Sequence, residues 1–502
     1  MVTTPLPTAT PVTRLVPSWF AEIDVAAGDG AAAEAIGFPA AVEGPVPPAL
    51  EADLADLERA GFAPTVGSTL SEPRRQGPAL VAVGIGDAGR VTAAALRDAA
   101  AAFARAVPRD GALAFHVPGL GPVAPDEAAA AIVEGVLLAR HRFDLRSAPK
   151  PADAVAVTSL ELVAPDGARD AVAAGAARGL LTARAGMMSR DLATCPAVLL
   201  TAEAIAAVAV ELGGAVGLEV EVTDRDGLVA LGCGGLLGVN RGSAREPRMV
   251  RLTYVPPGEP TGHLGLVGKG ITYDSGGISL KPSDESHAQM KNDMTGAGAI
   301  LAAMLALPAL GCPAKVTGWL MCTDNMPSGS AMQLGDVLTT RGGTTVEVVN
   351  TDAEGRLVMS DALVLAVEAG VDAVVDIATL TGACLRTFGT EVAGVMGNDP
   401  AVVRAVAAAG ERADEPVWEL PLIDSYRSWL DSDVADLKNL GGVHAGSITA
   451  GLFLQHFVDG RPWAHLDIAG TAQAPAAAAW VNRGPTGFGA RLLAELAVAF
   501  TA

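Results

Sequence analysis

The chain has 502 residues, half of them apolar but only 4% aromatic, with 35 Lys+Arg against 56 Asp+Glu for a formal charge of -21. That length implies two or three domains rather than one core, and an apolar fraction dominated by alanine implies many small-residue helix packings. The net negative charge repels phosphate backbones and anionic lipid over the molecule as a whole, which argues against nucleic acid or a membrane surface as the main partner.

Along the chain, the first twenty residues are rich in Thr and Pro and lack a basic start followed by an apolar run, so they read as a loose leader and not as a secretory signal. An α/β rhythm then begins: strand 79–83, an alanine-rich helix 91–107 and strand 111–117. A long Ala/Arg/Leu stretch over 169–192 reads as a helix linking an N-terminal α/β domain, 1–168, to a larger domain, 193–502. After Pro196 the alternation resumes with helix 201–212, strands 250–255 and 263–267, helix 296–307, strand 314–321, strand 345–349, helix 357–369 closed by Gly370, and strand 372–378. This pattern predicts an α/β fold whose larger domain holds a mixed, mostly parallel sheet flanked by helices, with ligands gathered beyond the carboxyl ends of the strands.

Two uncharged stretches, Met294 to Ala314 and Asn439 to Val458, are broken by proline, glycine or polar residues and suit a protein interior better than a bilayer. The five cysteines are odd in number and include no C-x-x-C pair, which argues against a disulfide framework. A soluble, cytoplasmic protein follows.

The residues that carry chemistry sit at predicted strand ends. After the β-branched run 344–349 comes Asn350-Thr351-Asp352-Ala353-Glu354-Gly355-Arg356-Leu357. Acids two apart do not stack on one helix face, so they come from an irregular loop able to wrap a cation; a solvated Asn/Asp/Gly turn is the plainer alternative. Upstream, the strand at 263–267 runs into Gly268-Lys269-Gly270-Ile271-Thr272-Tyr273-Asp274-Ser275-Gly276-Gly277-Ile278-Ser279-Leu280-Lys281, followed by Met290-Lys291-Asn292-Asp293. Lysines in apolar, glycine-rich sequence need carboxylate partners if they are buried, and a structural ion pair is the competing reading for each residue taken singly.

Taken jointly, Val267 to Gly277, Asn350 to Leu357, Asp376-Ile377-Ala378-Thr379-Leu380-Thr381-Gly382-Ala383 and Trp463-Ala464-His465-Leu466-Asp467-Ile468-Ala469-Gly470 resemble, in the same order, the leucyl (cytosol) aminopeptidase family of dinuclear metallopeptidases. The resemblance spans roughly the last 330 residues. It implies release of the N-terminal, leucine-like residue of a peptide by a hydroxide activated between two metals. One metal would take Lys269, Asp274, Asp293 and Glu354, and the other Asp274, Asp352 and Glu354, with zinc or manganese as the expected ions. Four carboxylates then balance two divalent cations, whereas acids about 4 Å apart repel by roughly 4 kcal/mol per pair at an effective dielectric near 20. Lys269 must be neutral to ligate, its pKa forced down by the cations.

The resemblance further assigns Lys281 to the developing oxyanion and Arg356 to a bicarbonate that shuttles the proton. Met290, Thr379, Gly382 and Ala469 would line the pocket for the N-terminal side chain, although Met290 reads equally as core filler. It also implies a homohexamer. Departures from the family pattern in the block Asp324-Asn325-Met326-Pro327-Ser328-Gly329, where a glutamate is usual, and at Leu334, where a proline is usual, fall outside the ligand set.

Two other classes compete. Some bacterial relatives bind DNA as architectural proteins, but the charge of -21 opposes this without a local basic patch. Gly84-Ile85-Gly86-Asp87-Ala88-Gly89 is a literal G-x-G-x-x-G, yet strand 111–117 ends in Pro118-Gly119 with no acid for a ribose, so a tight βα turn is expected there and not a dinucleotide site. His465, in an apolar segment beside Trp463, reads as a hydrogen-bonded core residue rather than a ligand.

Overall fold

A computed structural model describes residues 10–502 apart from 43, 45, 47–49, 51, 73–75, 120, 149 and 151–153. The chain divides into two compact units, one comprising Phe20–Met187 and Pro475–Gly484, the other the described part of Met1–Trp19 with Met188–Ala474 and Pro485–Ala502. These units differ from sequential boundaries at 168 and 193: the helix Arg169–Thr194 is one continuous element assigned partly to each unit. The start of the described chain is also not loose. Val12–Leu15 forms a helical turn, Leu15 and Val16 are fully buried, and the Ser18 amide donates to the buried Asp191 carboxylate at 2.8 Å. Thr/Pro content is uninformative there because an apolar Val12/Leu15/Val16 cluster is enough to anchor the segment.

The smaller unit holds a six-stranded sheet ordered Asp24–Gly28, Ser159–Val163, Ala112–His116, Ala35–Ala41, Ala79–Gly86, Thr69–Glu72, parallel throughout except for the last edge strand. The helices Ala93–Ala106 and Pro125–Arg140 contribute Leu96, Phe103, Ile132 and Val136 to its core. At the end of the Ala79–Gly86 strand, a Cβ on Gly84 would strike the Thr65 carbonyl and the Ser68 hydroxyl, and Gly86 has φ +78°. These glycines serve the chain's own turn.

The larger unit is built on an eight-stranded mixed sheet ordered Val417–Glu419, Ala393–Gly397, Trp463–Asp467, Ala373–Ala378, His263–Asp274, Lys315–Asn325, Arg248–Tyr254, Glu219–Thr223. Its four central strands, from Trp463–Asp467 to Lys315–Asn325, run parallel, and antiparallel pairings lie toward the edges. The helix Thr295–Leu310 is buried on every side from Thr295 to Leu307, as its charge-free sequence requires. The helix Gly355–Glu368 contributes Leu357, Val358, Ala362 and Leu363 to the neighbouring core. Among the described residues no helix is long and apolar enough to cross a membrane.

Candidate metal centre

The site forms where the central parallel strands end. Lys269 and Asp274 belong to one strand but are five residues apart, an odd spacing that in a regular strand points side chains to opposite faces. The register resolves this. Met321 pairs with Lys269 and Thr323 with Ile271, but Asn325 pairs with Asp274, so Thr272 and Tyr273 together oppose the single residue Asp324. This bulge inserts one residue and returns Asp274 to the face of Lys269.

Two loops carry the remaining acids and are stitched together by Thr351 and Ser279. The Thr351 hydroxyl donates to the Gly276 carbonyl at 2.7 Å and accepts from the Ser279 amide at 2.8 Å, while the Ser279 hydroxyl accepts from the Thr351 amide at 3.1 Å. Within the second loop, Asn350 Oδ1 accepts the Asp352 amide at 2.8 Å, and the fully buried Asn439 accepts from Val349 N at 2.9 Å and donates to Asn350 O at 2.7 Å. Glu354 then sits at the N-cap position of the helix Gly355–Glu368, with Arg356 in its first turn. The two acids thus leave an irregular loop, as their spacing predicts.

Lys269 Nζ lies 2.8 Å from both Asp293 Oδ2 and Glu354 Oε1, and donates to Thr379 O at 3.0 Å. Lys281 Nζ lies 2.7 Å from Asp274 Oδ2 and 2.6 Å from Asp352 Oδ1. One carboxylate oxygen each of Asp274, Asp352 and Glu354 lies within 4.8 Å of the other two. Four acids and two ammonium groups leave two net negative charges in a centre where Lys269, Asp274, Asp293 and Glu354 are buried and Asp352 is partly exposed.

Burial pushes the Asp274 carboxyl up to about 6, with the Glu354 charge adding to it against Lys281 and Lys269. Asp293 is driven well above the usual carboxylate range, chiefly by burial, and Asp352 is raised by burial and by Glu354. For Glu354 burial acts upward too, but Lys269 and Lys281 outweigh it and hold the group down. Burial works to deprotonate both lysines, yet the surrounding carboxylates keep them protonated. Three of the four acids are therefore short of positive charge.

The donor set fits divalent cations. Asp293 Oδ2 and Asp352 Oδ1 face ammonium groups at short range but receive no well-directed hydrogen bond, so they keep lone pairs for a cation. Oxygen ligands suit hard or borderline ions.

Other residues singled out in the sequence surround this centre. Thr379 donates its hydroxyl to Asp293 Oδ1 at 2.7 Å. Met290 opens the turn Met290–Asn292 that precedes Asp293, Gly382 starts the helix Gly382–Phe388, and Ala469 follows the strand ending at Asp467. Asp467 Oδ1 accepts from Leu380 N at 3.2 Å and from Ala469 N at 3.2 Å, which ties the Thr379–Gly382 segment to Ala469. Met290, Thr379 and Ala469 are partly open to solvent and Gly382 is exposed.

Arg356 is buried, with Nε and Nη1 lacking hydrogen-bond partners, and burial lowers its pKa to about 10 against the opposing charges of Glu354 and Asp467. His465 lies in the core, its Nδ1 2.5 Å from Asp376 Oδ1, and Trp463 Nε1 donates to the other oxygen at 2.6 Å. Asn325, Asn439 and Asp467 escaped the sequence reading as functional supports. Asp467 lies in a block that carries the family resemblance and Asn325 in one that departs from the family pattern, whereas Asn439 carried no such signal.

Residues 187–494 match the cytosol aminopeptidase family, catalytic domain, and residues 54–149 match the N-terminal domain of the same family. A probable cytosol aminopeptidase of Chlorobaculum tepidum is 45% identical over 389 residues, covering 74% of this chain and 75% of its own. One of Streptomyces griseus is 42% identical over 493 residues, covering 92% and 94%. Among solved structures, the bottromycin maturation enzyme BotP in complex with Mn superposes with a TM-score of 0.83 at 40% identity, covering 95% of this chain and 99% of its own.

Proposed function

We propose, from the premise that this chain belongs to the cytosol aminopeptidase family, that it removes N-terminal residues, leucine-like ones preferentially, from peptides with two divalent cations held by the four-carboxylate centre. The observation that carries this is the convergence of Asp274, Asp352 and Glu354 within 4.8 Å at the ends of parallel strands, with Asp293 joined through Lys269. Lys269, Asp274, Asp293 and Glu354 would hold one ion, and Asp274, Asp352 and Glu354 the other. Zinc or manganese is the expected ion, manganese being supported by the likeness to a protein solved with Mn. When bound, such ions polarise a carbonyl and make hydroxide available at neutral pH.

The chain's own groups do the rest. Lys269 would lose its proton as the local field turns positive and offer a neutral amine to the ion. Lys281, on a partly exposed loop, would donate to the substrate carbonyl oxygen as charge builds there, and its ammonium group 2.7 Å from Asp274 Oδ2 supports that role. Arg356 cannot act as a base, but its two unsatisfied nitrogens, Nε and Nη1, suit a small oxyanion, for which bicarbonate is the proposed occupant and proton carrier. Met290, Thr379, Gly382 and Ala469 would form the solvent-accessible slot for the N-terminal side chain. The proposed setting is the cytoplasm, and the proposed assembly is a homohexamer, which light scattering on an active, stable monomer would contradict.

The test is hydrolysis of leucine p-nitroanilide before chelation, after it, and after adding back zinc or manganese. Loss and recovery of activity support the proposal, and inactivity under every metal condition refutes it. Arg356→Ala, assayed with and without added bicarbonate, separately tests the proton carrier: unchanged activity in both conditions would remove that role.

A further inference from the structure

Asn325 is the last residue of the strand Lys315–Asn325, is almost fully buried, and stands in register beside Asp274 because of the bulge that re-aims that acid. Its Nδ2 lies 2.9 Å from Asp274 Oδ1, 3.0 Å from the Thr351 carbonyl and 3.5 Å from Glu354 Oε2. Three oxygens around one terminal atom fix the orientation of the amide, since the flipped form would set oxygen against oxygen. The two N–H groups are best spent on Asp274 and Thr351, with Glu354 at the margin of the second. The residue's backbone is pinned as well: its carbonyl accepts from Ser275 N at 3.1 Å and from Ser275 Oγ at 2.6 Å.

Asp274 and Glu354 are the two acids assigned to both cations, so their orientation matters more than that of Asp293 or Asp352. The lysines cannot fix it alone, because each ammonium group is claimed by two acids. Asn325 holds one oxygen of Asp274 and approaches one of Glu354 without adding a charge, leaving the four-to-four balance of carboxylates and cations intact. Through Thr351 it also couples the strand end to the loop that carries Asp352.

We propose that Asn325 is a positioning residue which orients the Asp274 and Glu354 carboxylates for shared coordination and thereby sets the affinity of the centre for its cations. This rests on the metal-dependent reading above. Supports of this kind typically contribute 10- to 100-fold in metal affinity.

The test compares Mn2+ binding to chelator-stripped parent protein, Asn325→Ala and Asn240→Ala, by equilibrium dialysis, with apparent melting temperatures recorded in the stripped state. Asn240 is a matched control: it is a buried asparagine whose Nδ2 donates to Arg245 O at 2.8 Å and Thr323 Oγ1 at 3.0 Å, away from the acids. Asn325→Ala is expected to weaken Mn2+ binding 10- to 100-fold, while Asn240→Ala lowers the melting temperature with affinity within threefold of the parent. Affinity within threefold for Asn325→Ala, or a loss no greater than that of Asn240→Ala, overturns the inference. If Asn325→Ala does not fold, Asn325→Ser is judged by the same criterion. A parent that binds no Mn2+ or Zn2+ would refute the metal-dependent reading itself, whereas a parent that binds normally beside an unaffected variant refutes only the role of Asn325.

Discussion

Gly355→Ala isolates the geometry of Lys269 from the stability of the fold. A Cβ at position 355 would lie 2.7 Å from Lys269 Cε, 2.8 Å from its Cδ and 2.8 Å from Nζ. Ordinary contact begins about 0.6–0.7 Å further out, and a flexible lysine would normally swing away. This one is tethered: Nζ is held at 2.8 Å by Asp293 and by Glu354 and at 3.0 Å by Thr379 O. Displacing it by about 0.7 Å would break at least one of those contacts by ordinary hydrogen-bond limits. Overpacking costs about 1–3 kcal/mol, while alanine in a helix regains up to about 1 kcal/mol over glycine, so the net loss of stability should be about 0–2 kcal/mol. A ligand misplaced by this much costs on the order of 100-fold in rate. The expected result is a fall of about 100-fold in kcat/KM on leucine p-nitroanilide with an apparent melting temperature lowered by a few degrees at most. Gly214→Ala is the control, since its Cβ would meet nothing within 4 Å in the helix Ala202–Ala215 and activity should be unchanged. A Gly355→Ala enzyme with full metal loading and kcat/KM within twofold of the parent would refute the placement of Lys269 in the centre.

Three further outcomes follow from the same geometry. Thr379→Val removes the donor to Asp293 Oδ1 and should raise the Mn2+ concentration needed for half-maximal activity by about tenfold, with Thr379→Ser restoring it; equal requirements in Thr379→Val and the parent would sink the idea. Asn439→Ala removes the hydrogen bonds at 2.7 and 2.9 Å that hold the 349–353 loop, and should cost about 2–4 kcal/mol in urea denaturation while depressing activity in the folded state. Asp361 is pushed up to about 7 by burial, against backbone N–H donors from Arg341, Leu236 and Gly235. The native state then keeps this proton up to about pH 7, while the unfolded chain releases it near the ordinary aspartate value of 3.8. Stability from this group is complete below the lower value and declines by at most about 1.4 kcal/mol per pH unit as pH rises between the two. The urea midpoint of Asp361→Asn, lower overall because the amide cannot accept from every donor, should therefore lose less than the parent between pH 5 and 7; parallel pH profiles would refute the buried protonated acid.

The sequence by itself determined the family, the mixed α/β sheet and the identities of the charged residues at the strand ends, because hydrophobic period, glycine placement and the block Asn350 to Leu357 are local signals. It also placed the uncharged stretch 294–314, with its helix at 296–307, in the protein interior. It did not reveal that residues 12–16 are anchored, since burial of Leu15 depends on a surface formed by distant segments such as the helix Ala202–Ala215. Nor did it reveal why Lys269 and Asp274 share a face. Their odd spacing is a contradiction in one dimension and is resolved by a bulge that exists only in the pairing of two strands. For the same reason Asn325 and Asn439, ordinary residues in the sequence, acquire roles only through partners 51 and about 90 positions away. Which side chains carry charge is written along the chain, but which oxygens face one another is set by register and loop closure, and only the tertiary structure decides those.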